Sequence, residues 1–140
     1  MATANLAGYS GKPLTQKLGI KPGFRIFVAG SPAPYDKIVG RLPDATTVAT
    51  RLGKQLDMIH VFATGRAALA DKLADYRKAI APNGMIWVSW PKKTSGLPTD
   101  LTDNVVRDIA LPLGLVDVKV CAVDATWSGL KFVIRRELRS

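Results

Sequence analysis

The segment Pro82–Ser95, PNGMIWVSWPKKTS, constrains the fold more than any other stretch of the chain. Pro82-Asn83-Gly84 reads as a helix stop. Met85–Trp90 reads as a strand apolar on both sides, the pattern of a strand covered on both faces of a sheet. Pro91–Gly96 then supplies a cationic loop at the strand's carboxyl end, where open α/β sheets place their ligands. A second apolar run, Asp57–Ala63 (DMIHVFA), has the same character. Between the two lies Arg66–Ile80, in which Leu69, Leu73, Tyr76 and Ile80 recur at helical spacing with charged residues between them. Thr64 is the expected N-cap of that helix.

The remaining elements fit the same plan. Residues 1–12 read as a loose arm. Pro13 opens a short helix, LTQKLG, which Gly19 ends. Arg25–Ala29 is a strand, Tyr35–Leu42 a short helix, and Ala45–Thr50 a brief strand near a sheet edge. Thr99–Leu111 is a second amphipathic helix, with Val105, Val106 and Ile109 as its stripe and Thr99 or Asp100 as its cap. Leu115–Val123 and Leu130–Arg136 are strands joined by too few residues for a helical crossover, so they pair antiparallel. The expected fold is a three-layer α/β, Rossmann-like domain spanning residues 1–140, with a mostly parallel sheet that ends in an antiparallel hairpin.

Composition narrows the function classes. A chain of 140 residues, 47% hydrophobic and 22% charged, buries a real core. The start lacks a secretory h-region, no run is long enough to span a membrane, and the single cysteine fits a reducing compartment, so a cytoplasmic location is expected. Cys121 sits in an apolar run and reads as a buried small hydrophobe. The net charge of +9 favours anionic partners. Its densest group, Lys131, Arg135, Arg136 and Arg139, is diluted by Glu137 and reads as a solvated strand end before a nucleic-acid patch.

Several chemistries lack their residues. Gly11-Lys12-Pro13 has neither the glycine spacing nor the hydroxyl of a P-loop. One cysteine and one histidine do not close a zinc site. There is no G-x-S-x-G elbow. His60 lies mid-strand and reads as a hydrogen-bonded core histidine. The candidate ligand-binding residues are Trp90, Lys92, Lys93, Thr94, Ser95 and Trp127: two ammonium groups and two hydroxyls for an anion, and two indoles for a ring or a partner. The competing reading has the lysines solvated and the tryptophans plugging the sheet ends. Asp100 is read as a helix cap or a partner of Lys93, and Asp124 and Ser128 as shapers of the hairpin turn.

Two resemblances follow from these segments. Leu18–Ile26 (LGIKPGFRI) and Ile80–Ile86 (IAPNGMI) resemble strand lead-ins of the methyltransferase-type Rossmann-like fold, whose sheet ends in an antiparallel hairpin. AGYSGKPLTQKLGIKPG, WVSWPKKTSGLPTDLT and GLVDVKVCAVDATWSGLKFV are similar to segments of a bacterial family of small proteins described only as a domain of unknown function. The second resemblance covers nearly the whole chain and implies no activity or catalytic residue. The first implies S-adenosylmethionine, but the chain departs from that pattern twice. The turn after the first strand reads VAGSPAP, with one glycine and two prolines that lack amide donors. The region after the second strand, Thr50–Gly53, has no carboxylate to hold ribose hydroxyls. No cofactor and no metal are therefore expected. The leading reading is a binding protein for a small anionic ligand or a protein partner, with a degenerate cofactor site. Its rivals are a methyltransferase with an atypical pocket and a nucleic-acid-binding module.

Overall fold

The computed structural model describes residues 12–139, so all but the end of the expected N-terminal arm lies outside the described residues. The strands are β1 (Arg25–Ala29), β2 (Thr47–Ala49), β3 (Leu56–Phe62), β4 (Ile80–Pro91), β5 (Leu115–Ala122) and β6 (Trp127–Ile134). The helices are α1 (Leu14–Leu18), α2 (Tyr35–Val39), α3 (Arg66–Ala79) and α4 (Asp103–Ala110). One six-stranded sheet runs in the order β2-β1-β3-β4-β6-β5. The first four strands of that order are parallel, and β6 runs antiparallel to both β4 and β5. This is the expected three-layer architecture.

Alternation along β3 sorts its side chains onto two faces. Ile59 and Val61 join Leu69, Leu73, Ile86, Val106 and Leu130 in one core, beneath α3 and α4. Met58 and Phe62 join Leu18, Tyr35, Trp87 and Trp127 in the other, beneath α1 and α2. Continuous apolar runs in β3 and β4 follow directly, because both of their faces are covered. Trp87 is fully buried, and its indole N–H donates to the Leu18 carbonyl at 2.9 Å, which ties α1 to the sheet. Among the described residues no helix is long and apolar enough to cross a membrane.

Four local expectations are corrected. Pro82-Asn83-Gly84 does not stop α3. The helix ends at Ala79, and Ile80 already pairs with Leu56. The three residues lie instead in an irregular stretch of β4, since Met58 next pairs with Met85. The N-cap of α3 is Gly65, not Thr64, and it has no capping side chain of its own. The carboxylate of Asp100 accepts from the Arg66 amide at 2.7 Å and does that work from outside the segment. The second amphipathic helix begins at Asp103, with Thr102 as its cap, because Thr99 and Asp100 are engaged on the β3–α3 turn. Finally, α2 stops at Val39 rather than Leu42, where Gly40 takes a positive φ of 90°.

Candidate functional site

A parallel sheet opens a crevice where successive crossovers leave in opposite directions. Here that place is β1, flanked by β2 on one side and β3 on the other. A cavity of about 260 Å³ lies at the carboxyl ends of β1 and β3. Ala29 at the end of β1 and Gly30 just beyond it line this cavity, with Ala63, Thr64 and Gly65 from the turn after β3, and Ala68, Lys72 and Tyr76 from α3. Its walls are mostly apolar, and Lys72 is the charged residue of the lining. Burial and then Asp75 raise the Tyr76 phenol above its usual range, so it stays a protonated donor.

Gly30 brings the floor of this crevice together. Its φ is +70°, and a Cβ there would overlap the carbonyl oxygen of Phe62. The chain beyond it, Ser31–Pro34, folds back on itself, with the Ser31 hydroxyl donating to the Ala33 carbonyl. Pro32 and Pro34 offer no amides, and Thr50–Gly53 after β2 has no carboxylate. The cavity is also small beside the ~300–1,000 Å³ of ordinary small-molecule sites. A methyl-donor nucleoside does not fit this set of groups.

The loop singled out from the sequence is split by the fold. Trp90 is buried in the core beneath α3 and α4. Trp127 is buried on the opposite face, edge-on to Phe62 with ring centroids 5.3 Å apart. The two indoles therefore do not share a site. Lys93–Ser95 forms a 3-10 turn. The Ser95 hydroxyl donates to the Lys92 carbonyl at 2.7 Å and accepts from the Leu97 amide, so it is spent on the turn. Lys93 and Trp90 do meet, in a second groove of about 480 Å³ that also takes in Thr102, Asp103, Asn104 and Ser128. Asp103 puts a carboxylate into that lining, which opposes an anion. Lys92 and Thr94 are not part of the lining. Asp100 caps α3 rather than pairing with Lys93, and the Asp124 carboxylate accepts from the Thr126 and Trp127 amides in the hairpin turn.

His60 is fully buried between two hydroxyls. Tyr35 Oη lies 2.7 Å from Nδ1, and Ser89 Oγ lies 2.7 Å from Nε2. Phe62 stacks on the imidazole at 4.3 Å. Burial lowers the imidazole to about 3, so the ring is neutral, and burial pushes the Tyr35 phenol far above its usual range. This is the hydrogen-bonded core histidine expected from its mid-strand position. Cys121 is buried as well, and burial pushes its thiol up against the opposing pull of Lys119 and Lys17. The thiol is expected to react slowly with a disulfide reagent in the native protein and rapidly in urea. Equal rates in the two conditions would show that the strand is open at that point.

The signals that sequence reasoning missed are Gly30, Thr64, Lys72 and Tyr76 as one constellation. Gly30 was visible as the surviving glycine after β1. Its neighbours in the crevice come from a strand and a helix far along the chain, and only the strand order joins them.

Residues 49–136 match the family model described as a protein of unknown function, DUF3052. The chain belongs to this family. No curated protein matches the sequence. Among solved structures, the chain is similar to an S-adenosylmethionine-dependent methyltransferase from Aquifex aeolicus, with a TM-score of 0.65 and 14% identity over 95% of this chain and 94% of that one. It is also similar to a TehB-like S-adenosylmethionine-dependent methyltransferase from Corynebacterium glutamicum, with a TM-score of 0.53 and 13% identity over 94% of each chain. A third is magnesium protoporphyrin IX methyltransferase from Synechocystis PCC 6803 with bound S-adenosylmethionine, with a TM-score of 0.56 and 11% identity over 81% of this chain and 71% of that one. At these identities the likeness is one of fold. This DUF3052 protein has the methyltransferase-type sheet, with a proline-bearing turn after β1.

Proposed function

We propose that this DUF3052 protein is a binding domain for a small anionic ligand with an apolar body, held in the crevice between β1 and β3. The observation that carries this reading is the position of Lys72, the charged group of an otherwise mostly apolar cavity at the reversal of strand order. Lys72 would meet the anionic group as a point charge. The walls formed by Ala29, Ala68 and Leu69 would cover the apolar part, and the hydroxyls of Thr64 and Tyr76 would orient it. The Lys92–Ser95 loop is the second site this reading leaves open. Lys93 there lines its own groove, but β4 lies between β3 and β6, away from the reversal.

Amide chemical shifts followed during titration with benzoate, phenyl phosphate and S-adenosylmethionine, at constant ionic strength, test this. Binding of either aromatic anion should move Gly30, Ala63 and Thr64, and Lys72→Ala should abolish the response. Shifts confined to Lys92–Ser95 would transfer the site to the loop. Micromolar binding of S-adenosylmethionine would replace this reading with a methyltransferase.

A further inference from the structure

On the sheet face opposite the crevice, positive charge converges at the end of α1. Lys119 of β5 and Lys131 of β6 are direct register partners. Lys131 is in turn the register partner of Trp87, so both lysines lie on the face that packs beneath α1. Like charges placed directly opposite on adjacent strands are destabilising. Lys131 is half-buried, with its ammonium close to Gly19 at the end of α1. Lys119 Nζ donates to the Lys17 carbonyl at 2.7 Å, which uses one of its three donors. Lys21 follows two residues after Gly19. Among the described residues the ion pairs are made by Arg107 and Arg135, and no carboxylate pairs with Lys21, Lys119 or Lys131.

We propose that Lys21, Lys119 and Lys131 form a site for a compact phosphate group, carried as free phosphate or as a small phosphate ester. A dianion placed among the three ammonium groups would turn their mutual repulsion into charge-assisted hydrogen bonds. Two of the lysines are register partners, and Lys21 follows two residues after the glycine that the Lys131 ammonium approaches, where it also lines a groove with Arg41 and Asp44. The proton affinity of Lys131 agrees, being lowered first by burial and then by Lys119 and Lys21, so both neighbours act on one ammonium. The other cations near the C-terminus do not join this group. Arg135 pairs with Glu137 at 3.7 Å, and Arg139 donates to the Ile134 carbonyl at 2.7 Å. A compact anion fits three clustered charges better than a polyanion, which needs a long track of them.

The probe is inorganic pyrophosphate, read by the melting temperature against sodium chloride of matched ionic strength. The wild type should show a saturable rise with pyrophosphate, because a ligand that binds only the folded state stabilises it. Without the anion, Lys119→Gln/Lys131→Gln should melt at or above the wild-type temperature, since repulsion is relieved. Its half-saturating pyrophosphate concentration should rise by roughly tenfold for each ammonium removed. Lys21→Gln should weaken binding in the same sense, whereas Lys72→Ala in the crevice should leave the response intact. A wild type that does not respond, or a double variant that responds equally, overturns the site. Loss of the response in Lys72→Ala would assign the anion to the crevice and also overturn it. Tight binding of a single-stranded oligonucleotide through the same lysines, without a pyrophosphate response, would overturn the compact-anion reading in favour of an extended backbone.

Discussion

Replacing Gly30 by alanine is expected to cost about 3 kcal/mol of unfolding free energy, combining left-handed strain with a backbone overlap. Two separate terms enter. A φ of +70° is strained for any residue with a Cβ. The new methyl group would also overlap the Phe62 carbonyl, which belongs to a strand that cannot easily retreat. β3 is paired with β1 on one side and β4 on the other, and the Ala63 amide just beyond it donates to the Ser89 carbonyl at 2.9 Å. Gly23→Ala separates the two terms. Its φ is +82°, but nothing lies within 4 Å of the Cβ position, so only the strain term, about 1 kcal/mol, applies. Urea unfolding of both variants reads the difference. Equal losses would mean that the overlap at Gly30 is relieved by local movement and that the floor of the crevice is soft.

Acid should destabilise the protein through His60. The folded imidazole lies near 3, lowered from 6.5 by burial, so between those values the unfolded chain binds the proton that the folded chain refuses. The stability contributed by the neutral ring is complete above pH 6.5 and is lost as pH falls toward 3. The slope approaches about 1.4 kcal/mol per pH unit, so roughly 2 kcal/mol should disappear between pH 7 and pH 5. His60 is the only histidine, so no other imidazole contributes. His60→Gln keeps polar atoms beside Tyr35 and Ser89 but does not titrate. Its urea midpoint should therefore be nearly flat over that interval, with carboxylates contributing equally to both proteins at lower pH. A wild type as flat as the variant would show that the folded protein accepts the proton and that the site is open to water.

Where sequence reading succeeded, it followed interactions within one element. The runs Asp57–Ala63 and Met85–Trp90 name strands buried on both faces, and the spacing of Leu69, Leu73 and Tyr76 names the crossover helix between them. Its errors fell where one segment serves another. Thr99 and Asp100 carry the residue types of a local cap, yet they satisfy the Thr64 carbonyl and the Arg66 amide some 34–35 positions away. Trp90 and Trp127 both read as ring-binding groups. The antiparallel register of β4 and β6 sends them to opposite faces, because Trp90 faces Ser128 and Trp127 faces Pro91.

The order of residues alone determined the element types, the parallel βαβ unit, the closing hairpin and the burial of His60 and Cys121. Those properties rest on periodicity, apolar runs and link length, which act over a few residues. Tertiary structure alone decided that Gly30, Thr64, Lys72 and Tyr76 share a crevice and that Tyr35 and Ser89 bracket His60. It also decided that Lys119 opposes Lys131. Each of these groupings depends on strand order or cross-strand register, which are set by packing the whole sheet rather than by neighbours along the chain.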